Sequence, residues 1–246
     1  MATNPMFPTK ASIEFNYSEL KNVFAGACAP AALARLVERL AAQRVLLVAS
    51  TSLSLATDEF AELQSALGSN FAGLLHGIGP HTPRPDVMRI LAAARDADAD
   101  LLVSLGGGSI IDACKVVQLA IDQGVESQAQ LIEYAQYGDG TRGSKYADFS
   151  LFKGDSKIRQ VAIPTTLSGA EFSNNASVLN TEISAKEGYR GIDLCPQTII
   201  YDPQLSLHTP QWLWLSTAIR SLDHAVEGYC SADSHAFLDG HFLHAM

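Results

Sequence analysis

Leu105 runs into Gly106, Gly107, Gly108 and Ser109, and Asp112 and Lys115 follow at three-residue intervals. Glycine has no Cβ, so it can adopt φ > 0 and lets a ligand approach the backbone closely. The helix that opens directly after the triplet offers unpaired N–H groups and the positive end of a dipole. Such a bend suits a diphosphate. Ser109 adds a hydroxyl donor for the same group, and Asp112 is expected in the first helical turn, where a carboxylate is favoured. The competing reading is a tight strand-to-helix turn that holds nothing. A second constellation is Pro164-Thr165-Thr166-Leu167-Ser168-Gly169-Ala170-Glu171, whose hydroxyls and backbone donors suit a polar ligand. Alone it reads as a turn with local hydroxyl-to-backbone bonds. Two such loops at neighbouring strand ends, facing one crevice, point to a shared ligand.

The elements that must position these loops alternate. Helices are expected over Pro30–Ala42, Asp58–Leu67, Ser109–Gln123 and Ser127–Ala135, and one over Val87–Ala97 with Asp86 as its N-cap. Strands are expected over Arg44–Ala49, Asn70–Ile78, Leu101–Leu105, Arg159–Ile163 and Thr198–Tyr201, short and apolar as parallel strands buried on both faces are. Ser12–Phe24 reads as an extended segment and hairpin, Pro80–Pro85 as a turn, and Tyr137–Asp155 as a loop-like insertion. Strand and helix in alternation predict an α/β fold with a parallel sheet, whose ligands gather at the carboxyl ends of the strands. From Thr209 the pattern becomes helical. Pro210–Cys230 carries an apolar stripe of Trp212, Leu215, Ile219, Leu222 and Val226, and a shorter helix follows from Ser234. The expected domains are 1–205, an α/β dinucleotide-binding domain, and 206–246, the beginning of an incomplete helical domain.

Composition narrows the class. The chain has 246 residues, 17 Lys+Arg against 26 Asp+Glu and a net charge of −9, with no dense basic run, which argues against nucleic acid. No apolar stretch is long enough for a bilayer and the start is unlike a signal peptide. Cys28, Cys114, Cys195 and Cys230 are widely spaced and read as reduced thiols in a cytoplasmic protein.

Four motifs in order carry a resemblance. Gly106-Gly107-Gly108-Ser109-x-x-Asp112-x-x-Lys115, Pro164-Thr165-Thr166-x-x-Gly169-x-Glu171, Asp202-Pro203-x-Leu205 and Leu222-x-His224-Ala225-Val226-Glu227 together resemble the iron-containing (group III) alcohol dehydrogenase family. Lys186, Tyr201-Asp202-Pro203 and the Asp223-His224 pair look closest to its maleylacetate reductase branch. The resemblance implies NAD- or NADP-dependent interconversion of a carbonyl and an alcohol on a small-molecule substrate, in a cleft between two domains, and often a homodimer. By motif, Gly107, Gly108 and Ser109 hold the pyrophosphate, with Gly106 and Asp112 as further cofactor-binding candidates. Thr165, Thr166 and Ser168 serve the nicotinamide half, and Lys186 the nucleotide ribose.

Three departures matter. Metal-dependent members place an Asp four residues before a His on the first long helix of the second domain; here His224 is preceded at that spacing by Arg220. A guanidinium has no lone pair to give and repels a divalent cation. The resemblance therefore implies a metal-independent relative, with Arg220 and His224 as catalytic candidates and Arg220 supplying positive charge to a carbonyl or a substrate carboxylate. An Arg–Glu surface pair is the alternative for Arg220. His235, His241 and His244 sit too early to be the family's further histidine ligands. The end of the Arg44–Ala49 strand reads Val48-Ala49-Ser50-Thr51, where Ser50 is a cofactor-binding candidate and no carboxylate repels a 2′-phosphate, so both NAD and NADP stay open. Members also run on for about a hundred further residues, and the apolar faces of 210–246 are expected to stand exposed. A truncated non-catalytic nucleotide-binding relative and a dehydroquinate synthase-type lyase are the alternatives.

Overall fold

The computed structural model describes residues 19–56, 58–146, 156–232 and 236–246. Its centre is a six-stranded sheet whose strand pairs are all parallel. Its strands are β1 (Asn22–Ala25), β2 (Val45–Ala49), β3 (Phe71–Leu75), β4 (Leu101–Gly106), β6 (Arg159–Pro164) and β9 (Thr198–Tyr201), ordered β1-β9-β6-β4-β2-β3. Strand order reverses between β2 and β4, which opens a crevice at their carboxyl ends.

Side-chain alternation splits the core into two layers. Val45, Leu47, Ala49, Leu101, Val103 and Leu105 pack with α1 (Ala29–Leu40) and α3 (Asp58–Leu67) on one face. Leu46, Val48 and Leu102 pack with α4 (Arg84–Asp96) and α5 (Gly108–Asp122) on the other. All of β2 is buried, which is why it reads as an unbroken apolar run. Leu47 is fully buried, so truncation to Ala there costs about 2–5 kcal/mol. Between β2 and α3 lies the short helix α2 (Thr51–Ala56), which the sequence reading did not include.

A second sheet, of three antiparallel strands, stands over α5. It is built from β5 (Gln136–Tyr137), β7 (Asn175–Asn180) and β8 (Ala185–Arg190), ordered β5-β8-β7. The sequence pattern gave no sign of it. Before it comes α6 (Gln128–Ile132), capped by Ser127 Oγ, which accepts from Gln130 N at 3.3 Å.

Several boundaries correct the expectations. Asp86 is not an N-cap: α4 begins at Arg84 after Pro83, because proline fits the start of a helix, and Asp86 sits in its first turn accepting from Gly79 N at 2.9 Å. Asp112 lies beyond the first turn of α5, which opens at Gly108. The strand expected to reach Ile78 ends at Leu75. β1 is a parallel edge strand on β9 and not a hairpin arm, and residues 12–18 of that expectation lie outside the described residues. So do residues 147–155 of the expected insertion, of which Tyr137 belongs to β5. After β9 come α7 (Pro203–Ser206), α8 (Gln211–Cys230) and α9 (Ala236–Ala245). The α8 stripe stands exposed, with Trp212 at 68% and Ile219 at 67%. Among the described residues no helix is long and apolar enough to cross a membrane.

Candidate functional site

The site grows from two adjacent strands. β4 and β6 pair in register to their carboxyl ends, with Gly106 opposite Pro164. One further bond, from Thr165 N to Gly106 O at 3.0 Å, carries the pairing into the loops. Gly106 has φ +148°, and a Cβ there would lie 2.7 Å from Ile110 Cδ1 and 3.4 Å from Ser50 Cβ. The bend therefore needs glycine. A Cβ on Gly107 would meet Thr166 Cγ2 at 3.1 Å, and one on Gly108 would meet Ser168 Oγ at 2.9 Å. The two loops expected to share a ligand are thus in direct contact, beside the N-terminus of a fifteen-residue helix.

The contact opens into a cavity of about 690 Å³ between α5 and the small sheet. Gly108, Ser109, Asp112, Ser168, Lys186, Arg220 and His224 line it together. Ser109 Oγ accepts from His81 N at 3.0 Å, which leaves its hydroxyl proton for a ligand. Lys186 and Arg190 reach the cavity from β8. Among the described residues lining it, Asp112 is the one carboxylate against Lys186, Arg190 and Arg220, an excess of cations in a chain of net charge −9. Such a concave electropositive space favours anionic ligands.

Lys115 ties the second loop to α5, and Asp112 and Lys115 together tie β7 to it. Burial holds the Asp112 carboxyl above its ordinary range and Lys115 below its own, and each partly restores the other. Their charged atoms are 3.4 Å apart. Lys115 Nζ donates to Ala170 O, to Asn175 O at 2.8 Å and to Ser173 Oγ at 3.0 Å, while Asp112 accepts from Ser177 N at 3.0 Å. Lys115 is fully buried, so its place in the motif is to bind protein and not ligand.

α8 closes the site from the far side. Leu167 N donates to Thr217 Oγ1 at 3.1 Å, Ser221 Oγ donates to Leu167 O at 2.8 Å, and Thr209 Oγ1 donates to Thr165 O at 2.6 Å. The first two bonds hold one face of the helix, and the third the segment before it, against the Thr165–Ser168 loop, so Arg220 and His224 reach the cavity. Arg220 pairs with Asp223, three residues on, with both side chains about half exposed. The expected surface-pair alternative is therefore present, with Asp223 rather than a Glu as partner.

Ser50, Thr165 and Thr166 stand behind this wall. Ser50 N donates to Leu105 O at 2.9 Å and its hydroxyl lies 3.4 Å from Ser52 Oγ, so it borders the crevice at the β2–β4 reversal. Thr165 is buried and joins the loop to its neighbours through backbone groups. Thr166 Oγ1 is buried with no hydrogen-bond partner among the described residues. Asp202, part of the third motif, is structural. It accepts from Ala29 N at 2.7 Å and Gln204 N at 2.9 Å, tying α7 to the start of α1.

Sequence reasoning passed over His81, Thr82 and Arg190. His81 and Thr82 have φ of 62° and 57°, a left-handed pair without glycine and strained for a β-branched threonine. The flanking Pro80 and Pro83 signalled a turn, but nothing in the residue types signalled its hand.

Known proteins resemble the chain in sequence and in fold. The model of the iron-containing alcohol dehydrogenase family matches residues 21–203. The dehydrogenase ALT3 of Alternaria alternata is 35% identical over 75% of this chain and 46% of its own length. Maleylacetate reductase 1 of Rhodococcus opacus is 30% identical over 85% of this chain and 47% of its own. The fold matches that of a sulfoacetaldehyde reductase from Bifidobacterium kashiwanohense solved with NAD+, at TM-score 0.77 and 18% identity, covering 95% of this chain and 58% of that one. The chain spans about half the length of the curated relatives it matches. With four motifs in order, two of them forming one loop pair at the carboxyl edge of the sheet, and a family model matched over most of its length, the chain belongs to the iron-containing alcohol dehydrogenase family.

Proposed function

We propose that this chain binds NAD or NADP at the joined loops and serves the NAD(P)H-dependent reduction of a carbonyl, or the reverse oxidation of an alcohol, in the manner of its maleylacetate reductase relatives. The observation that carries the reading is the contact of Gly107 and Gly108 with Thr166 and Ser168 beside the α5 N-terminus. Backbone N–H groups and the Ser109 hydroxyl there suit the pyrophosphate. The buried, unpartnered Thr166 Oγ1 and the nearby Ser168 suit the nicotinamide half, and Lys186 the ribose. Bound there, the nicotinamide ring supplies hydride chemistry. The chain's own residues bind and orient, and α8 supplies Arg220 and His224 to the substrate side.

We assign the reaction no metal. The side chain four before His224 is a guanidinium, which cannot ligate a cation. In its place Arg220, once drawn from Asp223, stabilises negative charge developing on a carbonyl oxygen or pairs with a substrate carboxylate. The test is a fluorescence titration of the chain with NADH and with NADPH, followed by carbonyl substrates with and without chelator. Saturable binding and chelator-insensitive turnover are expected. Binding without turnover identifies a non-catalytic relative, and the absence of saturable binding refutes the reading.

A further inference from the structure

Behind the cavity lies a buried ion pair that no motif contains. Arg84, 1% exposed, donates to Glu187 Oε1 at 2.7 Å and to Gln128 Oε1 at 2.7 Å. Glu187 is fully buried. It also accepts from Asn180 Nδ2 at 2.8 Å, Tyr137 OH at 3.3 Å and Tyr189 OH at 2.9 Å. One carboxylate thus joins the first turn of α4 to all three strands of the small sheet. Buried ion pairs are weak evidence for stability, since desolvation offsets much of their attraction, but they fix geometry where every partner is satisfied.

Its placement says what geometry is fixed. Side chains alternate along a strand, so Glu187 is held from behind while Lys186 and Gly188 on either side face the cavity. Arg84 directly follows Pro83, which bridges to Leu179, and Leu179 N donates to Thr82 O at 2.9 Å. The pair therefore anchors both the strand that carries Lys186 and the strained turn that sets His81 N on the Ser109 hydroxyl. We infer that Arg84 and Glu187 are positioning residues, which hold Lys186 at the depth where it meets the dinucleotide. The inference rests on the cofactor reading above.

The test is a double-mutant cycle on the intact chain, read by NADH affinity, with Lys186→Ala, Glu187→Gln and their combination. Gln keeps the size of the side chain but removes the buried one of the two charges that face Arg84, the other being the exposed Glu182 at 3.2 Å. Each single variant is expected to weaken NADH binding about tenfold, and the double variant also about tenfold instead of about a hundredfold, because Glu187 acts through Lys186. If Glu187→Gln does not fold, Tyr189→Phe takes its place, removing one of the four bonds to the carboxylate, with about a threefold loss expected that vanishes in the Lys186→Ala background. A purely structural role lowers the melting temperature without this coupling. Multiplicative losses, or NADH affinity unchanged in Glu187→Gln or in its substitute, overturn the inference. A wild-type chain that binds no NADH instead overturns the cofactor reading, and the inference falls with it.

Discussion

Gly108→Ala separates binding from folding at the point where the two loops meet. The new Cβ would stand 2.9 Å from Ser168 Oγ, 3.3 Å from Ser168 Cβ and 3.5 Å from Ala170 Cβ. The Oγ can rotate away, but the Cβ can recede only if the loop moves by a few tenths of an ångström. Gly108 opens α5 without a left-handed φ, so alanine there also gains about 0.5–1 kcal/mol of helix propensity, and the net change in stability stays within about 1 kcal/mol. Ligand bonds that bridge both loops lose their alignment; one or two of them at about 1 kcal/mol each amount to roughly tenfold in affinity. Gly106→Ala is the control. There the φ is +148° and the Cβ would be 2.7 Å from Ile110 Cδ1, so it destabilises by about 1–3 kcal/mol. Urea denaturation and NADH fluorescence titration of both variants measure the two effects. Wild-type affinity in Gly108→Ala, or equal loss of stability in both, refutes the reasoning.

Three further outcomes are expected. Arg220→Ala changes stability by no more than about 0.5 kcal/mol, since its pair with Asp223 is exposed, yet lowers kcat/KM at least about tenfold; unchanged kcat/KM removes Arg220 from the chemistry. Burial holds Lys115 below 10.5, so on raising the pH toward 10.5 the folded state sheds its proton first and the wild type gains stability; that contribution is lost as pH falls through the depressed value. Lys115→Met abolishes this slope relative to wild type in denaturation midpoints measured across the alkaline range, and an unaltered slope contradicts the assignment. The exposed α8 stripe binds ANS, and joint replacement of Trp212 by Ser and Ile219 by Lys lowers that fluorescence; undiminished signal places the apolar surface elsewhere.

The parallel sheet was legible because burial on both faces leaves no polar alternation to misread. Thr198–Tyr201 and Asp58–Leu67 fall where expected, and Arg44–Ala49 misses by one residue. The joined loops were legible because only small residues fit their contact. The hairpin of β7 and β8 was not, because its two faces serve different needs. Asn175, Ser177, Lys186 and Arg190 line the cavity, while Glu187 is buried against Arg84 and Asn180 against Glu187, so polar residues occupy both sides and the alternation disappears. Asp112 was legible as a site residue but not in its engagement with Lys115 and Ser177, which depends on a strand sixty-five residues away. Asp86 was misplaced because a good capping residue competed with a proline three positions earlier.

A crystal structure of the chain with a dinucleotide bound tests the central claim most directly. Its diphosphate is expected against the N–H groups of Gly108 and Ser109, with the nicotinamide half running past Thr166 and Ser168 toward His224. Electron density for the diphosphate on any other rim of the sheet contradicts the account.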